Sequence, residues 1–167
     1  MKCIVIIDMQ NDFINGALGN SNNYIVAQRI VNKLQKEKCD LFFTQDTHHE
    51  DFYFDTQEGK NLPILHCVKY TQGWEICDLL KPFTEHAVVL EKDCFGSEEL
   101  PDLVKQYDEV ELVGVCTDIC VITNALLIKS HNPEQLIIVD SKCCGGTTKE
   151  NHEAALQVMK SCQINVK

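Results

Sequence analysis

Two groups of side chains in this sequence have types and spacing suited to chemistry. Asp8, Lys92 and Cys120 form the first. A cysteine attacks a carbonyl as its thiolate, so it needs a proton acceptor and surroundings that favour negative charge. Cys120 is expected in the first turn of a helix, with Thr117 or Asp118 as the cap. Backbone N–H groups and the positive end of the helix dipole favour a thiolate there. The same N–H groups can hold the oxyanion that forms on attack. No histidine lies near Cys120 in sequence, so Asp8 is the candidate base. Lys92 would keep Asp8 ionised and positioned. The competing reading makes Cys120 a packing residue, Asp118 a helix cap and Lys92 a solvated cation.

Asp46 and His48 begin the second group. Residues i and i+2 of an extended segment point to the same side, so this carboxylate and imidazole can share a divalent metal. Two ligands bind weakly. His66, further along the same polar stretch, is the best third candidate, and His49, Glu50 and Asp51 lie close. The competing reading is a solvated loop. His86, His131 and His152 are read as structural or solvent-exposed. Phe13 is suited to stacking on a flat substrate, or to the core. Trp74 either begins a helix or lines a pocket, and Gly145-Gly146 fits a ligand approach or a tight turn.

Both groups depend on where strands end. Residues 3–7, 40–44, 86–91, 110–115 and 136–139 are short apolar runs that read as strands, with a sixth at 163–166. Between them the pattern predicts helices over 23–37, 74–81, 97–107 and 117–130. Thr147 with Glu150 forms a capping-box signature for a last helix reaching Ser161. Strands apolar throughout and separated by helices imply a parallel sheet covered on both faces, a doubly wound α/β fold. Ligand sites of such sheets lie outside the carboxyl ends of the strands. Asp8, Asp46, Lys92, Cys116–Cys120 and Asp140 each follow a strand. The stretch 45–72 is long for a loop in this fold, as functional loops often are.

The chain has 167 residues and a net charge of −10, which suits one domain and disfavours nucleic acid and anionic membranes as partners. No stretch approaches the roughly 20 apolar residues of a membrane span. The start, Met1 to Asp8, is too short for a signal-peptide core, so the protein is expected to stay in the cytoplasm. The ten cysteines are spread along the chain and form no pair of zinc knuckles. All but Cys120 read as small buried hydrophobes of a reducing compartment.

Val5-Ile6-Ile7-Asp8-Met9-Gln10-Asn11-Asp12-Phe13 resembles the opening motif of the nicotinamidase/isochorismatase-like cysteine hydrolases. Gly114-Val115-Cys116-Thr117-Asp118-Ile119-Cys120-Val121 is similar to their nucleophile motif. Thr44-Gln45-Asp46-Thr47-His48 and Leu62-Pro63-Ile64-Leu65-His66-Cys67-Val68 resemble metal segments of the nicotinamidase branch. The matches lie in family order over most of the chain. The resemblance implies a three-layer α/β/α fold around a mostly parallel six-stranded sheet. It implies a catalytic triad of Asp8, Lys92 and Cys120, and an oxyanion hole from the N–H groups of Cys116 and Cys120. It also implies a cis peptide at Val115–Cys116. A divalent metal, zinc foremost with iron or manganese as alternatives, would be held by Asp46, His48 and His66. The implied reaction is hydrolysis of a small amide such as nicotinamide through a thioester. Homo-oligomers are implied as well.

The match departs from the family in two places. Nicotinamidases often carry a Trp three residues before the second metal histidine, where this chain has Pro63. The lysine segment Glu91-Lys92-Asp93-Cys94-Phe95-Gly96-Ser97 matches loosely. The alternatives are hydrolysis of another small substrate, such as a carbamoyl compound or the vinyl ether of isochorismate, and a non-catalytic or redox-sensing α/β module. The cysteine and the three metal candidates argue against the vinyl-ether reaction, which needs neither.

Overall fold

The computed structural model describes the whole chain, Met1–Lys167. Six strands form one sheet: β1 (Lys2–Ile7), β2 (Asp40–Asp46), β3 (Val88–Lys92), β4 (Glu109–Val115), β5 (Leu136–Gly145) and β6 (Asn165–Val166). Their order is β3-β2-β1-β4-β5-β6, and every pairing is parallel. The helices are α1 (Asn11–Ile14), α2 (Ser21–Leu34), α3 (Glu50–Tyr53), α4 (Gln57–Asn61), α5 (Leu100–Val104), α6 (Ile122–His131) and α7 (Lys149–Ser161).

The apolar strand sequences follow from burial on both faces. Cys3, Val5 and Ile7 of β1 enter one core with Leu100, Val104, Ala125, Ile128 and Met159 from α5–α7. Ile4 and Ile6 enter the other, with Val26, Ala27, Ile30 and Leu34 from α2. Successive strand residues face opposite ways, so a strand covered on both sides is apolar at every position. Burying each Val, Ile or Leu side chain stabilises the fold by about 1.5–3 kcal/mol. This is the three-layer α/β/α arrangement expected from the sequence.

Several local expectations fail. Residues 74–81 form no helix: Ile76 bridges to Gln10, the Cys77 N–H bonds to the Met9 carbonyl, and only a 3-10 turn at Lys81–Phe83 follows. These outward bonds take the backbone groups that a helix would use. The predicted helix over 97–107 is confined to α5. The capping position of the last helix is Thr148, whose Oγ1 accepts from the Asn151 N–H at 3.0 Å. Thr147 instead bonds Asp118 through both its N–H and its hydroxyl. The polar stretch 45–72 holds α3 and α4 rather than a bare loop.

The strand order turns back between β1 and β4. β1 to β3 progress one way across the sheet, and β4 to β6 the other. Connections therefore leave the carboxyl ends of β1 and β4 in opposite directions, and a crevice opens between them. Gly114 allows the two strands to close up. Its φ is +123°, and a Cβ there would stand 2.2 Å from the Ile7 carbonyl oxygen.

Candidate active site

The crevice holds Asp8, at the end of β1, and Cys120, beyond the end of β4. Between them lies Lys92, the last residue of β3, paired in register with Asp46 of β2. The Lys92 ammonium is 2.8 Å from Asp8 Oδ2, 3.1 Å from Asp46 Oδ1 and 3.7 Å from Cys120 Sγ. None of the four is more than 6 % exposed. Asp8 has a φ of 49°, and the Thr44 hydroxyl donates to its Oδ1 at 2.6 Å. The contact of Oδ2 with Lys92 is one of charge and proximity, because Oδ2 accepts no hydrogen bond. That leaves it a lone pair for a thiol proton.

The electrostatics suit one mobile proton. Burial raises the Asp8 carboxyl above its ordinary range and the nearby Asp46 charge adds to this, against the pull of Lys92 and Thr44. Burial, followed by the charge of Asp8, raises Cys120 well above an ordinary thiol, while Lys92 works to lower it. Lys92 itself is disfavoured as a cation by burial, yet the charges of Asp8, Cys120 and Asp46 hold it firmly protonated. Both groups therefore hold a proton more tightly than their exposed counterparts, and Lys92 favours the charged form of each.

Cys120 sits in a wide π-type turn, Thr117–Val121, that precedes α6. The expected capping by Thr117 or Asp118 is absent. Cys116 occupies the cap position, Asp118 binds Thr147, and the Thr117 hydroxyl meets His152 Nδ1 at 2.8 Å. His152 thus packs against the nucleophile turn instead of facing solvent. The Val115–Cys116 peptide is cis, as the resemblance implies. The Cys116 N–H donates to no other protein group.

Asp46, His48 and His66 also come together, with a fourth residue that the sequence reading did not single out, Glu58 of α4. The ligand atoms of all four lie within 4.8 Å of one another. His48 Nε2 is 3.1 Å from Asp46 Oδ2, and His66 Nε2 is 3.6 Å from it. Glu58 Oε1 is 3.7 Å from both imidazoles. His66 Nδ1 bonds the Ile64 carbonyl at 2.8 Å, which places the ring proton there and leaves Nε2 a free lone pair. Tyr53, also unforeseen, packs edge-on against both imidazoles and donates its hydroxyl to the Leu62 carbonyl. Burial opposes ionisation of Asp46, but the adjoining imidazoles of His48 and His66 and the charge of Lys92 hold it below the usual carboxylate range. Two carboxylates and two imidazoles, oriented from behind, are a fitting donor set for a borderline divalent cation. The other nearby candidates, His49, Glu50 and Asp51, are exposed and outside the group. Glu58 was hidden because its separation from the histidines in sequence carries no period; only the fold of α4 brings it in.

Cys120 of the first group and Asp46, Glu58 and His66 of the second line one cavity of about 260 Å³. Asp46, Glu58, His66, Cys116 and Cys120 give it a polar floor, and Phe13, Leu18, Leu62, Phe95 and Ile119 give it apolar walls. Phe13 packs edge-on against His66. Pro63 and Trp74 are not among the lining residues.

A family model described as the isochorismatase domain matches residues 2–166. The chain is 30% identical to nicotinamidase 1 of Arabidopsis thaliana, over 84% of this chain and 68% of that protein. The structure of pyrazinamidase of Pyrococcus horikoshii in complex with zinc superposes with a TM-score of 0.83 at 25% identity, covering 99% of this chain and 98% of that one. Nicotinamidase/pyrazinamidase PncA from Bacillus subtilis superposes equally well, at 26% identity and the same coverage.

Proposed function

The chain belongs to the isochorismatase family, and from that premise we propose that it is a cysteine amidohydrolase of nicotinamidase type, converting nicotinamide and water to nicotinate and ammonia. The observation that carries this reading is the buried contact of Lys92 with Asp8 and with Cys120, which lines the same cavity as Asp46, Glu58 and His66. Apolar walls above a polar floor suit a flat heteroaromatic amide better than a flexible carbamoyl compound.

Asp8 takes the thiol proton of Cys120, and the thiolate attacks the amide carbon. The N–H groups of Cys116 and Cys120 receive the oxyanion. Asp8 returns the proton to the departing nitrogen, ammonia leaves, and a thioester remains. Asp8 then deprotonates the attacking water, the acid is released, and Cys120 recovers its proton. Lys92 keeps Asp8 in reach and offsets the negative charge passing between carboxylate and sulfur. Phe13 packs beside the substrate ring. Asp46, His48, Glu58 and His66 would hold a divalent cation, zinc by analogy with the Pyrococcus complex, which supplies Lewis acidity and an attachment point for a ring nitrogen. A cytoplasmic location fits the largely buried cysteines. A homo-oligomer fits the edge strand β3, which leaves Val88 and Val89 exposed.

Ammonia release from nicotinamide by the zinc-loaded protein tests the reaction. The wild type should produce it, and Cys120→Ala should lose activity by about a factor of 10⁴ or more while remaining folded. Ammonia from both would remove Cys120 from the nucleophile role; none from either would move the substrate away from nicotinamide.

A further inference from the structure

The segment that follows β1 is bonded to the chain around the metal ligands. β1 and β2 pair only as far as Ile6 and Phe43, after which the strands part. The N–H and C=O of one strand residue point to the same neighbour, and those of Asp46 point toward β1, which has already ended. The side-chain amide of Gln10 takes the missing place. Its Oε1 accepts from the Asp46 N–H at 2.8 Å, and its Nε2 donates to the Asp46 carbonyl at 2.8 Å. Gln10 is fully buried, and the same Nε2 donates to the Trp74 carbonyl at 2.8 Å. The side chain thus acts as one more rung of the sheet.

Two residues on, Asp12 does the corresponding work for the other ligand segment. Its Oδ2 accepts from the N–H of Cys67, next to His66, at 2.7 Å, and its Oδ1 accepts from the Ala17 N–H at 3.1 Å. Cys67 has a φ of 47°, outside the conformations it would prefer, and its carbonyl receives the His48 N–H at 2.9 Å. The backbones bearing His48 and His66 are therefore joined, and Asp12 holds the joint. Gly73 permits this approach, since a Cβ there would stand 2.2 Å from Asp12 Oδ2.

We propose that Gln10 and Asp12 are positioning residues for the metal ligands, Gln10 setting Asp46 and Asp12 setting His66 and His48. The chain from 8 to 12 then carries the proton acceptor and aligns the cation site with it. The proposal rests on the metal reading above, but not on nicotinamide as the substrate.

Zinc affinity, measured by competition with a chromophoric chelator, and the visible spectrum of the cobalt-loaded protein test it. Gln10→Met should weaken zinc binding about 10–100-fold and shift the cobalt bands, with the far-UV circular dichroism unchanged. Asp12 is only half-buried, so Asp12→Ala is the variant more certain to fold. It should weaken zinc about 10-fold, and Asp12→Asn, which keeps an acceptor for the Cys67 N–H, should restore most of the loss. Wild-type affinity and an unmoved cobalt spectrum in folded Gln10→Met or Asp12→Ala would overturn the proposal and leave the metal reading standing. A wild type that takes up no zinc or cobalt would overturn both.

Discussion

In the proposed reaction one proton passes between Cys120 and Asp8, and this makes Asp8→Asn informative. In the resting protein burial and the charge of Asp8 hold the Cys120 thiol up, while Lys92 pulls it down. Removing the carboxylate leaves burial and the Asp46 charge in place but takes away the largest charge that holds the thiol up, so the thiol becomes more acidic and a larger fraction is thiolate at neutral pH. Alkylation of Cys120, followed by mass spectrometry, should therefore become faster in Asp8→Asn and shift to lower pH. Hydrolysis should fall about 10²–10⁴-fold, because the proton shuttle is gone. Slower alkylation would mean that Asp8 activates the thiol in the resting state instead of receiving its proton during attack.

The site exists because two strand ends approach at the place where the sheet order turns back. Gly114 is the contact point, with a positive φ and the Ile7 carbonyl where a Cβ would lie. Gly114→Ala should cost about 2–4 kcal/mol in urea denaturation, through backbone strain and separation of β1 from β4. Hydrolysis should fall more steeply than stability predicts, because Asp8 and the nucleophile turn move apart. An alanine variant of wild-type stability would show that the sheet can take up the extra methyl group. The strands themselves were legible from their apolar runs, and the ends that carry Asp8, Asp46, Lys92 and the Cys116–Cys120 turn follow from them. Helix extents were less legible. Residues 74–81 have helical spacing, yet their backbone bonds to the segment after β1.

The whole molecule is also held by a charge cluster inside the sheet. Glu111 of β4 has no side-chain exposure and meets Lys33 at 2.7 Å, Lys2 at 2.9 Å and Lys167 at 2.9 Å, so that α2 and both chain ends are tied to β4. Burial works to raise its carboxyl, but hydrogen bonds from Lys33, Lys167 and Lys2 outweigh it and bring it from 4.5 down to about 2. A carboxyl more acidic folded than unfolded stabilises the fold fully above its unfolded value, and that contribution disappears as pH falls through its folded value. Stability should thus decline between about pH 4.5 and pH 2 in part through this residue. Glu111→Gln should lose about 1–3 kcal/mol near pH 7, since it removes the charge shared by three lysines and leaves part-buried Lys33 with Asp140 alone. The gap between variant and wild type should narrow as acid is added. A gap that stayed constant across this range would assign the loss to packing.

The sequence by itself determined the α/β/α class and most strand ends, and marked out Asp8, Lys92, Cys120, Asp46, His48 and His66 as candidates, because apolar periodicity is a local property of a chain; it missed the end of β5, which runs on to Gly145 and takes in Asp140. The meeting of Lys92 with both carboxylates and the thiol was decided only by the tertiary structure. So were the entry of Glu58 among the metal candidates, the packing of Tyr53 against their imidazoles, and the bonds of Gln10 to Asp46 and of Asp12 to Cys67. These depend on strand order, on register and on backbone groups left unpaired where β1 ends, and none of them leaves a period in the sequence.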